Sequence, residues 1–157
     1  TFNKIKKEKK TSIPLFLKIS PDIKDESISD ITDIVMKNNI SGIILTNTTN
    51  VNRENLNSKI KNENGGLSGE PLQKISTEMI KKFYSKINGQ IPIIGVGGIS
   101  SGKSAYEKII AGASLLQLYT GLIYEGPMVV KKIKKELIQI LKAEGINNIK
   151  DAIGTGI

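Results

Sequence analysis

Cysteine and histidine are both absent from the 157 residues of this chain. Without cysteine there is no disulfide framework and no thiolate metal site, and an intracellular compartment is favoured. Without histidine the chain cannot supply a serine–histidine triad, a histidine-ligated zinc site or imidazole acid–base catalysis. We therefore predict that this chain holds no metal.

Arginine is represented only by Arg53, and aromatic residues make up 4% of the sequence, although the formal net charge is +8. A basic balance can indicate binding to nucleic acid or to an anionic membrane surface. Here the lysines are scattered, with small clusters within 4–10 and 131–135, and aromatic residues do not alternate with them. We interpret these lysines as solvated surface and expect no nucleic-acid partner.

Long apolar runs are also missing. No run reaches the length of about 18 residues that is typical of a membrane-spanning helix, so we expect no transmembrane segment in this chain. The N-terminus lacks the apolar core of a signal peptide. Residues 1–12 are polar and basic, and we interpret them as a linker or a frayed end.

The remaining residues, 13–157, alternate short apolar runs with segments of helical periodicity, and the length suits one domain. In the first periodic segment, Ile28, Ile31, Ile34 and Val35 are expected on one helix face. The pattern predicts four βα units, with strands at 15–20, 42–46, 91–98 and 114–120 and helices near 25–38, 77–87, 104–111 and 128–143.

The predicted strands are apolar almost throughout, which is typical of a parallel sheet that is covered on both faces. Alternating strands and helices predict right-handed crossovers within such a sheet. Four units equal half of an eight-stranded (β/α)8 TIM barrel, and an open half leaves two unpaired strand edges. We therefore expect a piece of a larger barrel or a chain that needs a partner.

Two neighbouring strands end at turns that precede helices, one at Gly97-Gly98 and the other at Tyr119-Thr120. In (β/α) barrels, the last two βα turns usually form a phosphate site. Glycine lets the backbone approach an anion, and we expect the helix start after Gly98 to offer free N–H groups. These turns predict a phosphate-bearing cofactor.

The same region matches a nucleotide-binding pattern. Gly97 to Ser104 fits G-x-x-x-x-G-K-[ST], the P-loop pattern, between a predicted strand and a predicted helix. A P-loop enzyme also needs an aspartate at the end of a strand to help hold magnesium. Only Asp22 comes near such a position, so a nucleotide-binding P-loop remains the weaker alternative.

Polar side chains end the first two strands. Lys18 is the one charge in its strand, where it either points into the mouth of an active site or faces water from an edge strand. Asn47 and Thr48 either bind a planar polar ligand or cap a turn. The long polar loop 50–69 ends in Gly65-Gly-Leu-Ser-Gly69, and it is either a functional lid or a flexible connection.

The chain resembles the dihydroorotate dehydrogenase family, specifically its quinone-linked, membrane-associated class. The resemblance runs in order along nearly the whole chain. The strings that carry it are Phe16-Leu-Lys-Ile-Ser-Pro-Asp22, Gly42-Ile-Ile-Leu-Thr-Asn-Thr-Thr49, Gly65-Gly-Leu-Ser-Gly-Glu-Pro-Leu72, Ile93-Ile-Gly-Val-Gly-Gly-Ile-Ser-Ser-Gly102, Gly112-Ala-Ser-Leu-Leu-Gln-Leu-Tyr-Thr120, Tyr124-Glu-Gly-Pro127 and Asp151-Ala-Ile-Gly154.

The resemblance implies an FMN-containing (β/α) barrel that oxidises dihydroorotate to orotate in pyrimidine biosynthesis, with a quinone as electron acceptor. It implies that Lys18 lies against the flavin ring, where its charge stabilises the anionic reduced flavin, and that Asn47 and Thr48 bind the pyrimidine. The implied FMN contacts are Lys18, Thr46, Gly69, Gly97, Gly98, Tyr119 and Thr120.

The motifs belong to the last four strands of the family's barrel. The resemblance therefore implies that the serine base, the membrane helices and the quinone tunnel belong to a missing N-terminal half, and that no catalytic residue lies in this chain. The implied location is the periphery of the inner membrane, on the cytoplasmic side in a bacterium or in the mitochondrion of a eukaryote. A non-catalytic half-barrel module remains an alternative.

Overall fold

A computed structural model describes residues 4–5, 13–51, 53–54 and 56–157. Its four strands form one parallel sheet in the order β1-β2-β3-β4. The elements are β1 (Phe16–Ile19), α1 (Glu26–Lys37), β2 (Gly42–Leu45), α2 (Gln73–Ile87), β3 (Ile93–Val96), α3 (Gly102–Ile110), β4 (Leu115–Gln117), α4 (Thr120–Glu125) and α5 (Val129–Ala143), with 3-10 turns at Glu70–Leu72 and Ile149–Ala152. The predicted alternation and the parallel sheet are confirmed. The linker expected at 1–12 lies outside the described residues, apart from Lys4 and Ile5.

Helix α1 packs through a narrower apolar stripe than its sequence suggests. Ile28 and Val35 are buried, and Ile31 packs against them at the edge of the core. Ile34 was expected on the same face, but it is 59% exposed. Thr32 takes the buried place instead, because its hydroxyl donates a hydrogen bond of 2.7 Å to the carbonyl of Ile28 and so needs no other partner.

Two helices differ from the prediction, α2 in where it begins and α4 in being present. Helix α2 begins at Gln73 rather than near 77, because a 3-10 turn with Pro71 near its start leads directly into it. Helix α4 begins at Thr120, separated from β4 only by Leu118 and Tyr119, and was not predicted. Its sequence is short, and its end is marked only by Gly126 and the following proline.

The main core lies between the sheet and the first two helices. Phe83 and Ile80 of α2 are fully buried against Ile43 and Leu45 of β2 and Ile93 of β3. Helix α3 packs against α5 on the other side of the fold, where Ala105, Val129 and Ile133 share a second cluster. These helices hold the carboxyl ends of all four strands at one edge of the sheet.

The opposite face of the sheet and its two edges are less covered. The register aligns Lys18, Ile44, Ile94 and Leu115 in one row across the strands, and side chains of one row share a face. Leu115 is 59% exposed and Ile44 is half-buried. Among the described residues, β1 and β4 each pair on one side only, as expected for an open part of a barrel.

Candidate functional site

A cleft of about 790 Å³ opens at the carboxyl ends of the strands. Its wall comes from the ends of β1 and β2, from the segment 66–72 and from the turns after β3 and β4. All nine site residues predicted from the sequence line this one cleft: Lys18, Thr46, Asn47, Thr48, Gly69, Gly97, Gly98, Tyr119 and Thr120. Residues that are far apart in the chain therefore meet because parallel strands present their carboxyl ends at the same edge.

The turns after β3 and β4 touch each other. A Cβ atom placed on Gly121 would lie 2.6 Å from the carbonyl oxygen of Ile99 and 3.6 Å from the Cα atom of Ser100. Only glycine allows the two backbones to come this close. The two predicted phosphate-binding turns are thus adjacent and share one wall of the cleft.

Backbone donors are available in both turns. Within the described residues, no hydrogen bond uses the N–H groups of Gly98, Ile99, Thr120 or Gly121. Since such groups are normally paired with an acceptor or with water, they suit an anion that enters the cleft. The geometry supports an anion site made from two loops.

The start of α3 contributes fewer free donors than expected, and the prediction was wrong for the N–H groups of Gly102 and Ser104. Ser101 and Ser104 form a reciprocal capping box, so the N–H of Ser104 is bonded to the Ser101 hydroxyl at 3.1 Å. The carboxylate of Glu136 on α5 accepts the N–H of Gly102 at 2.6 Å. Within the described residues, these contacts satisfy the N–H groups of Gly102 and Ser104 but not that of Lys103, and further free donors lie before the helix, at Gly98 and Ile99.

The same contacts argue against the P-loop alternative. A P-loop holds phosphate on the N–H groups that here bond to Glu136 and Ser101, and its final hydroxyl binds magnesium. The Ser104 hydroxyl instead accepts the N–H groups of Ser100 and Ser101. Lys103 is exposed and does not line the cleft. The pattern match is therefore a coincidence of a capped helix start.

Thr46 presents a buried polar atom to the cleft. The residue is 1% exposed, and its N–H donates to the carbonyl of Val96 at 3.1 Å. Its hydroxyl oxygen has no hydrogen-bond partner within the described part of the chain. A buried hydroxyl without a partner is costly, so a ligand in the cleft is the natural acceptor or donor for it.

Asn47 and Thr48 follow Thr46 and face the cleft. Asn47 is exposed and Thr48 is half-buried, and among the described residues neither side chain makes a hydrogen bond, so the turn-cap interpretation is not supported. The capping role falls to Asp22, whose carboxylate accepts the Thr49 hydroxyl at 2.5 Å and the Asn50 N–H at 2.8 Å. The amide and the hydroxyl thus remain available to a ligand.

Both expectations for Lys18 hold in part. The residue lies on the edge strand β1 and is exposed, and it also lines the cleft. Its register partner is Ile44, on the less covered face of the sheet. Lys18 therefore brings a positive charge to the base of the cleft without burial.

The described part of the loop 50–69 is organised rather than a loose connection. The guanidinium of Arg53 donates to the backbone carbonyls of Lys61, Glu63 and Gly65, and Thr49 pairs with Leu67 across the loop. The loop's end reaches the turn after β4, where the Thr120 and Ser68 hydroxyls bond at 2.9 Å. Arg53 thus holds the segment that closes one side of the cleft.

Sequence reasoning missed two features near the site. Leu118, Gly121, Tyr124 and Glu125 also line the cleft, because α4 was not predicted. Lys108 of α3 was passed over, although it falls in the buried stripe with Ala105 and Ile109. Lys108 and Ile109 lie three and four residues after Ala105, and this helical spacing could have placed both on the buried face of α3.

Lys108 is fully buried. Its ammonium donates to the carbonyl of Gln73 at 3.2 Å, to the Ser76 hydroxyl at 2.9 Å and to the Thr77 hydroxyl at 3.0 Å. Burial lowers the pKa of this lysine to about 8, and the nearby Glu107 carboxylate opposes the shift. All three of its N–H donors have an acceptor.

The described residues contain neither a membrane-spanning helix nor a metal-binding cluster. No helix there is long and apolar enough to cross a membrane. No cluster of carboxylates, histidines or cysteines there could hold a metal ion.

A protein-family model described as dihydroorotate dehydrogenase matches residues 2–141. The chain is 47% identical over 156 residues to "Dihydroorotate dehydrogenase (quinone)" of Trichodesmium erythraeum, covering 94% of this chain and 41% of that protein. It is 52% identical over 139 residues to the protein of the same name from Christiangramia forsetii, covering 88% and 41%. It is 48% identical over 140 residues to the mitochondrial protein of Mus musculus, covering 89% and 35%.

Among solved structures, the crystal structure of DHODH from Eimeria tenella in complex with ferulenol matches with a TM-score of 0.88 and 47% identity. The match covers 90% of this chain and 38% of that chain. The chain thus spans about two fifths of the length of these relatives, in their C-terminal portion. The four βα units are therefore part of a TIM barrel rather than a complete one.

Proposed function

This chain belongs to the dihydroorotate dehydrogenase family, and on that premise we propose that it forms the C-terminal half of an FMN-dependent enzyme. The enzyme would oxidise dihydroorotate to orotate in pyrimidine biosynthesis and pass the electrons to a quinone. The observation that carries the proposal is the convergence of nine predicted residues, from five separate segments, on one cleft with two donor-bearing turns.

The residues present fit FMN. The volume of the cleft, about 790 Å³, lies in the range of about 300–1,000 Å³ that small-ligand sites occupy. The adjacent turns with Gly97, Gly98, Tyr119 and Thr120 would hold the phosphate through their free backbone donors. The buried Thr46 hydroxyl, which lacks a protein partner, would gain one from the ligand.

Lys18, Gly69 and Thr46 would border the flavin ring. The chemistry that bound FMN supplies is two-electron transfer between dihydroorotate and the quinone. The Lys18 ammonium would favour negative charge in its neighbourhood, since the charge is fixed beside the cleft by the strand. Gly69 would let the backbone approach the ligand at close range.

Asn47 and Thr48 would bind the pyrimidine. An amide donates and accepts hydrogen bonds in one plane, which suits the alternating donors and acceptors of a pyrimidine ring. The neighbouring hydroxyl adds a further polar contact on the same side of the cleft. These two side chains would orient the substrate, and no side chain of this chain would act as the catalytic base.

The serine base would come from the complementary N-terminal half, which would also bring the quinone tunnel and the contact with the inner membrane. In the part of the chain that the structure describes, β1 and β4 each have one unpaired edge. These edges and the exposed Leu115 are the surfaces that the other half would cover. Residues 13–157 would form one half-barrel unit and residues 1–12 a polar linker to it. This chain by itself would be inactive.

The experiment is flavin retention. The chain is purified alone and together with the N-terminal portion of the Trichodesmium erythraeum relative, and the visible spectrum is recorded after removal of free FMN. We expect the flavin absorbance of the mixture to correspond to about one bound FMN per chain, and orotate should shift the flavin absorption bands. If no mixture retains flavin, the proposal is wrong; a colourless protein that self-associates would favour the non-catalytic half-barrel.

A variant pair makes the test specific to the cleft. Thr46→Val replaces the buried hydroxyl that lacks a partner, and we expect weaker FMN retention. Thr32→Val removes a buried hydroxyl from α1, away from the cleft, whose hydrogen bond lies within the helix. This control should retain FMN as the unmodified chain does. Equal losses in both variants would show that the effect is on folding and not on the site.

A further inference from the structure

Lys108 connects helix α3 to the first turn of α2. Its ammonium is bonded to Gln73, Ser76 and Thr77, all among the first five residues of α2, and no part of its side chain is exposed. Burying a cation without an ion-pair partner disfavours folding unless all its donors are used. The Glu107 carboxylate is bonded elsewhere, to the side-chain amide of Gln73 at 2.8 Å.

The hydrogen bonds continue from Lys108 to the wall of the cleft. Ser76, also fully buried, donates its hydroxyl to the carbonyl of Val96 at 2.5 Å. The same carbonyl accepts the N–H of Thr46 at 3.1 Å. Val96 and Thr46 both line the cleft, so two hydrogen bonds separate the ammonium from the backbone of the cleft wall.

The turn that follows Val96 rests on the same helical turn. Gly98 has a φ of +68°, and a Cβ atom there would lie 2.6 Å from the Cα and 2.7 Å from the N of Gln73. A Cβ on Gly97 would lie 3.2 Å from that of Ser76. The position of the Gly97-Gly98 turn is therefore set by direct contact with the residues that Lys108 holds.

We propose that Lys108 is a positioning residue for the anion-binding turn, acting through Ser76 on the end of β3. The inference rests on the proposed function, since it concerns the phosphate site of the same cleft. An ammonium can only donate, so the Ser76 oxygen accepts the hydrogen bond from Lys108. The Ser76 hydroxyl hydrogen is then left to donate to the carbonyl of Val96, which fixes the direction of both hydrogen bonds. A hydrogen bond from a cation is stronger than a neutral one, and it is protected here from water.

A structural role alone makes a different prediction. Replacing a buried polar group and its partners by apolar groups of similar shape can be neutral or stabilising. Lys108→Met should then keep ligand affinity, or should change the affinity for every ligand of the cleft alike. A positioning role predicts a loss that is selective for the phosphate-bearing ligand.

The test compares FMN with riboflavin, which lacks the phosphate. Binding of each is measured by flavin fluorescence, on the chain together with the N-terminal portion of a relative. The unmodified chain is compared with four single variants and with the double variant that combines Lys108→Met and Ser76→Ala. Lys108→Met removes the ammonium and Ser76→Ala cuts the connection to β3. Thr77→Val removes another Lys108 partner that has no bond to the strand, and Lys103→Met removes an exposed lysine of the same helix.

We expect Lys108→Met and Ser76→Ala each to weaken FMN binding about tenfold, equivalent to about 1.4 kcal/mol, and to leave riboflavin binding nearly unchanged. The double variant should be no weaker than either single one, because both act on one chain of bonds. Thr77→Val and Lys103→Met should bind FMN as the unmodified chain does. If Lys108→Met does not fold, the contrast between Ser76→Ala and Thr77→Val decides the question.

The failures are distinguishable. If the unmodified chain binds FMN no more tightly than riboflavin, the phosphate site of the proposed function is wrong, and this inference falls with it. If the unmodified chain binds FMN more tightly than riboflavin, and the Lys108→Met and Ser76→Ala variants keep the same preference, only the positioning role of Lys108 is wrong. Equal losses for FMN and riboflavin would also overturn it, because they indicate general disruption of the cleft.

Discussion

The buried lysine predicts an unusual dependence of stability on pH. Lys108 has a pKa lowered to about 8 by burial, compared with 10.5 for an ordinary lysine. The Glu107 carboxylate opposes the shift, and the hydrogen-bond partners of Lys108 from α2 are neutral. The perturbation is a rise in pH from 7 to 10, applied to the chain and to Lys108→Met.

The sign and the size follow from proton linkage. Below pH 8 the folded and unfolded states both carry the proton, and the folded state bears the full cost of burying the charge. Between pH 8 and 10.5 the folded state loses the proton first, so the unfolded state binds more protons and stability rises with pH. Each pKa unit corresponds to about 1.4 kcal/mol, which predicts a gain of about 2–3 kcal/mol between pH 7 and 10.

The assay is urea unfolding followed by circular dichroism at several pH values. The free energy of unfolding of the unmodified chain, relative to that of Lys108→Met, should rise by that amount. Lys103→Met, which removes an exposed lysine of the same helix, is the control variant. Parallel curves for the unmodified chain and Lys108→Met between pH 8 and 10 would refute the assignment of a buried cation.

Two further predictions concern the backbone and the core. Gly98→Ala should lower the free energy of unfolding by about 3 kcal/mol, because the left-handed backbone of this residue disfavours a side chain and the new Cβ would also overlap with Gln73. Gly145 is the control, with a φ of +69° and open space around it. Gly145→Ala should lower the free energy of unfolding by only about 1 kcal/mol. Similar losses in thermal unfolding would show that the contact is not rigid. Phe83→Ala should lower the free energy of unfolding in urea by about 3–5 kcal/mol, since Phe83 is fully buried. Tyr124 is the control, because it is 85% exposed. Tyr124→Ala should change the free energy of unfolding by no more than about 0.5 kcal/mol. A small effect at Phe83 would contradict the assigned core.

The order of elements was accessible from the sequence because each signal is local. The apolar run 42–46 and the periodic segment 128–143 correspond closely to β2 and α5. The unpredicted helix α4 is too short to show a period, and it begins shortly after the end of β4, within the apolar run that was predicted as strand 114–120. Ile34 was misplaced because an isoleucine at helical spacing does not reveal how wide the buried stripe is.

The sequence predicted which residues line the cleft better than it predicted their hydrogen bonds. Asn47, Gly98 and Tyr119 could be chosen because strand ends in a parallel sheet share one edge, whereas Thr46 was implied only by the family resemblance. The helix start after Ser101 was expected to be free, and no local signal shows that Glu136, on another helix, occupies one of its donors. Contacts between distant segments of this kind depend on how the helices pack.

The amino-acid sequence by itself determined the alternation of strands and helices, the absence of thiol and imidazole chemistry, and the residues that stand at the strand ends. These follow from short-range backbone preferences and from side-chain chemistry. Only the tertiary structure decided which donors remain free, that the turns at Ile99 and Gly121 touch, and that Lys108 lies buried behind the cleft. Each of these depends on distances between elements, and packing of the whole sheet and its helices sets those distances.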